Sequence, residues 1–277
     1  MLKSISIWAL KDFDQRPAAD LFAEVRKAGF EGIELAVGLQ GLLTPGTTQK
    51  QCAELAHIAD EQGVRISSLA SGLGWQFPLT SDDPAVRKRG VEIGQASARL
   101  GGWLGAGCLL VIPGLVSGLD AKGHAHVPYD AAYERMRDGI AQCIPAAQKA
   151  KVVLGIENVW NKILLSPLEM RDFIDGFKSP WVGSYLDVGN MLVTGYAEDW
   201  VRILGRRIGC VHFKDFKRSV GTLAGFCDLL EGDCNYPEVI KALREAGYDG
   251  PAVAEFFGLD QAGLLKVSKA LDKILAM

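Results

Sequence analysis

Short apolar runs alternate with longer amphipathic stretches along the whole of this chain. The runs fall at 4–8, 32–35, 65–69, 108–112, 152–157, 182–187, 208–213 and 252–256, each about the length of one strand. Between them, helices are expected near 18–28, 47–62, 84–100, 130–150, 197–204 and 260–275, with Gly29 and Gly63 closing the first two. Two more have readable starts. In Ser166-Pro167-Leu168-Glu169 the serine caps, the proline takes the first helical position and the glutamate reaches back. Asn235-Tyr236-Pro237-Glu238 opens another, ended by Gly247. Pro145 is expected to kink or divide the helix at 130–150.

Eight strands alternating with about eight helices imply a parallel sheet, hence the α/β class. Eight such units in 277 residues imply closure into a (β/α)8 barrel. No linker rich in Pro, Gly or Ser divides the chain, so residues 1–277 are read as a single domain. KAGFEGIEL (27–35) and EAGYDGPAVAEF (245–256) echo each other: helix end, glycine, turn, then a strand ending in glutamate. Common turn chemistry explains this echo as well as true repetition does.

Composition narrows the picture. A hydrophobic share of 48% and a charged share of 23% fit a soluble protein with a sizeable core. A net charge of −3 argues against a nucleic-acid partner. MLKSISIWALKDF has neither a long apolar run nor a small-residue cleavage site, so no signal peptide is expected, and no stretch is long and apolar enough for a membrane span. The six cysteines are scattered without CxxC spacing, as in a reduced, cytoplasmic protein.

The chemistry lies at four strand ends: Glu157, Asp187, His212 and Glu255, spaced 30, 25 and 43 residues apart. Each gap holds roughly one strand and one crossover helix. Side chains alternate along a strand, so Gly155 and Glu157 share a face, as do Tyr185 and Asp187, Cys210 and His212, and Val253 and Glu255. If those faces point inward, all four meet at the C-terminal mouth, where barrel enzymes carry their chemistry. Any one of them alone reads as a capped carboxylate or a satisfied core histidine. Four buried together would repel and be strongly desolvated unless a cation joined them. Three carboxylates and one imidazole, with no thiolate, suit one Mn²⁺, Mg²⁺ or Co²⁺; Zn²⁺ is also possible.

Other candidates have two readings each. Trp8 and Trp75 either stack on a substrate or pack at the rim. Glu34 either bonds a substrate or supports a loop, the second being preferred. Lys214, Lys217 and Arg218 cluster after strand seven, where barrels often hold phosphate, or Lys214 pairs locally with Asp215. His124 and His126 either form a lid, meet a phosphate or lie in a solvated loop, the last being preferred. His57 reads as helix surface and Asp233 as structural.

ENVWNKILLSP (157–167), YLDVGN (185–190), VHFKDFKR (211–218) and LLEGDCNYPEVIKAL (229–243), with SGLGWQFPLTSDDP (71–84) and LVIPG (110–114), resemble the sugar isomerase/epimerase family with the xylose-isomerase-like TIM barrel. The branch it resembles contains ketose 3-epimerases, pentulose-5-phosphate 3-epimerases and hexulose-6-phosphate isomerases. The resemblance implies that Glu157, Asp187, His212 and Glu255 are metal ligands and that Glu157 and Glu255 are also the acid/base pair. It implies that Arg218 binds substrate oxygens. Asn190 falls where ketose 3-epimerases often place a histidine, and Asn161-Lys162-Ile163-Leu164 lacks the second glutamate some of them use. The implied reaction is inversion at C3 of a ketose or ketose phosphate through a cis-enediolate, with an aldose–ketose 1,2-isomerase as the alternative. The substrate is thus a sugar or sugar phosphate, and homo-oligomers are the family habit. Polyol dehydratases share the barrel and metal. A related DNA-cleaving barrel with three zinc ions needs many more histidines than the four here. A non-catalytic sugar-binding module would be expected to lack one of the two glutamates.

Overall fold

A computed structural model describes residues 1–117 and 126–277; His124 lies outside the described residues. Eight parallel strands close into a barrel: β1 (Leu2–Ser6), β2 (Gly32–Ala36), β3 (Arg65–Ala70), β4 (Cys108–Val111), β5 (Val153–Glu157), β6 (Val182–Asp187), β7 (Ile208–Phe213) and β10 (Pro251–Ala254). β1 pairs with β10 to complete the ring. The predicted runs all became strands. The first starts earlier than expected and ends before Trp8, which sits in a short 3₁₀ turn, Ile7–Ala9.

The outer layer comprises α1 (Ala18–Lys27), α2 (Gln49–Glu61), α3 (Pro84–Leu104), α4 (Tyr129–Ala150), α5 (Pro167–Asp175), α6 (Ala197–Leu204), α7 (Tyr236–Glu245) and α8 (Gln261–Leu275). Sequence chemistry starts these helices. Thr48 and Gln51 form a reciprocal capping box on α2, and Asp83 and Asp260 cap α3 and α8. Ser166 caps α5 as expected, but Glu169 reaches one residue further back, to Leu165 N at 2.8 Å. α4 runs through Pro145 undivided. Flanking helical bonds and burial of Ile140, Cys143 and Ala147 outweigh the one lost amide donor.

Two layers of core result. The larger lies between strands and helices. A smaller one fills the barrel itself with Ala70, Cys108, Leu110, Tyr185, Cys210 and Val253. Tyr185 is accommodated because Gly155 faces it: a Cβ at Gly155 would stand 3.0 Å from the Tyr185 Cβ and 2.9 Å from Cys108 Sγ. The inward parity predicted for Tyr185, Cys210 and Val253 is therefore the observed one. After β7 the chain adds a small antiparallel hairpin, β8 (Asp215–Phe216) with β9 (Phe226–Cys227), over the C-terminal mouth. At two residues each, these strands carry no readable period.

Candidate metal centre

Glu157 and Asp187 end β5 and β6, His212 is the penultimate residue of β7, and Glu255 follows β10 directly. Those strands are consecutive around the barrel. Register completes the alignment. Asp187 lies opposite His212, and the Glu255 amide donates to Phe213 O at 3.2 Å. One ligand atom from each of the four side chains lies within 4.8 Å of the others. All four residues are buried, Asp187 and His212 completely.

Neighbouring groups aim the side chains inward. Asp187 Oδ1 accepts from the Gly189 and Asn190 amides, both at 2.8 Å, which turns Oδ2 into the cluster. The Asn158 side chain brackets the Asp187 backbone, donating to its carbonyl at 2.8 Å and accepting from its amide at 2.9 Å. Asn190 donates from Nδ2 to Glu157 Oε1 at 3.3 Å. His212 Nε2 lies 3.0 Å from Glu34 Oε1, so in the neutral ring Glu34 favours the proton on that nitrogen, with Nδ1 facing the carboxylates.

Asp187 Oδ2, His212 Nδ1 and Glu255 Oε2 make no directed hydrogen bond among the described residues. What they meet is charge: Lys214 Nζ stands 2.5 Å from Glu255 Oε2 and 3.2 Å from Asp187 Oδ2. Three convergent lone-pair donors, buried and without directed partners, fit a divalent ion.

The same crowding splits the two glutamates. Burial pushes the Glu157 carboxyl up to about 8, and neighbouring Glu255 adds to this against Lys214 and His212. Burial also opposes ionisation of Glu255, but Lys214 and His212 outweigh it and hold that carboxyl below the usual range. Burial raises Asp187, with Lys214 opposing. The His212 imidazole is raised despite burial, through Glu34 and Glu255.

Above the cluster opens a cavity of about 1330 Å³. Glu157, Glu255, Asn190, Lys214, Trp8 and Trp75 all line it. Trp8 stacks on Phe257 with ring centroids 6.1 Å apart. Arg218 is placed elsewhere. Its guanidinium lies 4.2 Å over the Tyr196 ring and donates to Gly195 O at 2.8 Å, and it is not on the cavity wall. The preferred reading of Glu34 as loop support is also corrected. Glu34 is fully buried inside the barrel, bonded to His212, Ser68 and the Tyr185 hydroxyl. Lys214 pairs with the cluster rather than with Asp215, because its flexible stem folds back over the β7 end. His57 is exposed on α2, paired with Glu61, and Asp233 accepts the Arg218 amide, a structural role. His126 is exposed.

Fold and centre together define a (β/α)8 barrel with a buried carboxylate–imidazole cluster, suited to a divalent metal, at its C-terminal mouth. The chain belongs to the xylose isomerase-like TIM barrel family, whose sequence profile matches residues 22–274. It is 27% identical over 270 residues to the L-ribulose-5-phosphate 3-epimerase UlaE of Escherichia coli O1:K1 / APEC, covering 94% of this chain and 91% of that protein. A solved D-psicose 3-epimerase from Clostridium cellulolyticum H10, crystallised with D-tagatose, superposes with a TM-score of 0.83 at 19% identity over 99% of both chains. A solved L-ribulose 3-epimerase superposes with a TM-score of 0.80 at 22% identity, over 100% of this chain and 95% of that one. At such identities the two structures establish the shared fold.

Proposed function

We propose that this protein is a divalent-metal-dependent epimerase that inverts C3 of a ketose or ketose phosphate through a cis-enediolate. The observation that carries the reading is the pairing of Glu157 and Glu255. Both are buried, both line one cavity, and both touch the same four-residue centre while their protonation preferences are driven apart. The curated relative's 3-epimerase activity on a pentulose phosphate supports it.

Glu157, Asp187, His212 and Glu255 would hold the ion, with Mn²⁺, Mg²⁺ or Co²⁺ favoured by the oxygen-rich set and Zn²⁺ possible. When bound, the ion supplies Lewis acidity that stabilises negative charge on the substrate oxygens. One glutamate takes the C3 proton, and the electron pair of that C–H bond enters the enediolate. The other glutamate returns a proton to the opposite face of C3. Glu255, kept ionised by Lys214, suits the first role in one direction, and Glu157 suits the second. Asn190 steadies Glu157, while Trp8 and Trp75 offer faces for the sugar's C–H surface. Arg218, turned onto Tyr196, would have to swing to reach substrate. A cytoplasmic location and assembly into a homo-oligomer belong to the same proposal, the first supported by six free cysteines.

The test is incubation of metal-loaded protein with ketoses and ketose phosphates in D2O. Deuterium at C3 with inversion is the expected result. Label at C1 or C2 with an aldose product would make the protein a 1,2-isomerase instead. Glu157→Gln and Glu255→Gln should each lower turnover by roughly 10²–10⁴-fold with circular dichroism unchanged. A near-normal rate in either variant would remove that residue from the chemistry.

A further inference from the structure

Barrel enzymes commonly bind phosphate with free amides in the loops after the seventh and eighth strands. Here an internal carboxylate already takes those amides after the seventh strand. Asp215 follows β7 and is almost fully buried. It accepts from four backbone amides: Phe216 at 2.9 Å, Leu230 at 3.0 Å, and Gly232 and Cys234 at 3.1 Å each. Gly232 makes room for it, since a Cβ there would stand 2.2 Å from Asp215 Oδ1. After the eighth barrel strand, β10, three amides are likewise engaged. Gly258 donates to Trp8 O at 3.1 Å and Leu259 to Ala9 O at 2.7 Å, and Asp260 caps α8 through the Gly263 amide at 2.8 Å.

Side-chain charge points the same way. Among the described residues, Lys214 is the one cationic side chain on the cavity wall, and two carboxylates of the centre hold it. Asp14, Asp228 and Glu231 stand on the same wall. Lys266 partly offsets them, bridging Asp228 at 2.5 Å and Glu231 at 3.0 Å. A phosphate dianion entering this mouth would meet more negative charge than positive. Five aromatic rings also stand on the wall: Trp8, Trp75, Trp160, Phe226 and Phe257. Trp160 is fixed in place by its Nε1 bond to Asn190 O at 2.7 Å. Such rings favour the C–H faces of a neutral sugar.

We propose that the cavity takes an uncharged ketose, carrying no phosphate, whose end remote from the reacting carbons lies on the aromatic wall formed by Trp8, Trp75, Trp160 and Phe257. This rests on the C3-epimerase reading and narrows its substrate class, away from the pentulose phosphate of the curated relative.

The experiment compares metal-loaded protein acting on matched pairs, each a five- or six-carbon ketose and its terminal phosphate ester, by C3 deuterium exchange and by quenching of tryptophan fluorescence. The expected result is a kcat/KM roughly a hundred-fold higher for the free ketose, with quenching by the free sugar at concentrations where the ester has no effect. The double variant Asp228→Asn/Glu231→Gln should shrink that preference. An ester that binds or turns over as well as its free partner overturns the proposal, as does absence of quenching by every free ketose. Failure of the epimerase reading looks different: free ketoses would quench the fluorescence while no deuterium reached C3.

Discussion

Glu34 shows how much a single buried side chain does here without facing the cavity. It sits on the opposite side of His212 from Glu255, and each carboxylate addresses one ring nitrogen. Its own position is set by the Tyr185 hydroxyl and by Ser68 Oγ at 3.1 Å. Ser68, Tyr185 and Glu34 thus form a buried network of hydrogen bonds that ends on His212. Removing its last carboxylate should loosen the imidazole and permit the wrong tautomer. Glu34→Ala is expected to weaken Mn²⁺ binding by roughly 10–100-fold in calorimetric titration. Glu34→Gln, which can still accept the Nε2 proton, should recover most of that loss. Equal affinities for all three proteins would make Glu34 a packing residue only. Four centre residues were legible in the sequence because their chemical types recur at strand ends at barrel spacing. The contact of Glu34 with His212 is not legible there, because its partner lies 178 residues away and no local pattern reports it. That Lys214 turns into the centre while Arg218 turns onto Tyr196 is set by side-chain conformation, which spacing does not encode.

Among the elements, the strand-and-helix alternation was readable because each unit buries one face at its own period, 2 for strands and 3.6 for helices. The echo between 27–35 and 245–256 acquires a structural meaning: both glutamates at its ends, Glu34 and Glu255, contact His212. What sequence periodicity missed was the β8–β9 hairpin, whose two-residue strands carry no period and are held by a buried carboxylate and by Phe216 packed on Phe226 and Trp160. Asp215 ties β8 to the 230–234 turn through three of its four amide bonds, and Asp233 N returns a bond to Phe216 O at 2.9 Å. The approach is close enough that Gly232 has no room for a side chain, with Phe216 N also 2.6 Å from a Cβ placed there. Gly232→Ala is therefore expected to cost about 1–3 kcal/mol, from strain of the kind seen on overpacking. In a thermal melt of a chain this size that is a fall of roughly 2–12 °C. An unchanged melting temperature would show that the hairpin gives way at no cost, and that Asp215 is a weaker anchor than its bonds imply.

At the scale of the whole molecule, the barrel gathers three carboxylates and an imidazole into one buried space, and a divalent ion bound there would make that arrangement cheap to hold. This fixes a pH dependence whose sign can be worked out. In protein stripped by chelator, Glu157 keeps its proton up to about pH 8, because burial and Glu255 disfavour its charge. Its ordinary value is near 4.5, so between those two values the folded chain binds a proton that the unfolded chain has released. His212 is raised as well, through Glu34 and Glu255, and so also holds a proton in the folded state after the unfolded state has lost it. Both groups make stripped protein less stable as pH rises from about 5 to 8. Metal binding requires those protons to leave, so affinity should grow with pH over the same window and level off above it. Because a ligand specific to the folded state stabilises it in proportion to its affinity, the gap in melting temperature between Mn²⁺-loaded and stripped protein should widen steadily from pH 5.5 to 8.5. Titration of Mn²⁺ in two buffers of different ionisation enthalpy, at pH 7, should show at least one proton released per ion bound. A gap that narrows with rising pH, or binding with no proton released, would mean that Glu157 and His212 stand ionised and neutral, respectively, before the ion arrives, and that the crowding of this centre is relieved by some other route.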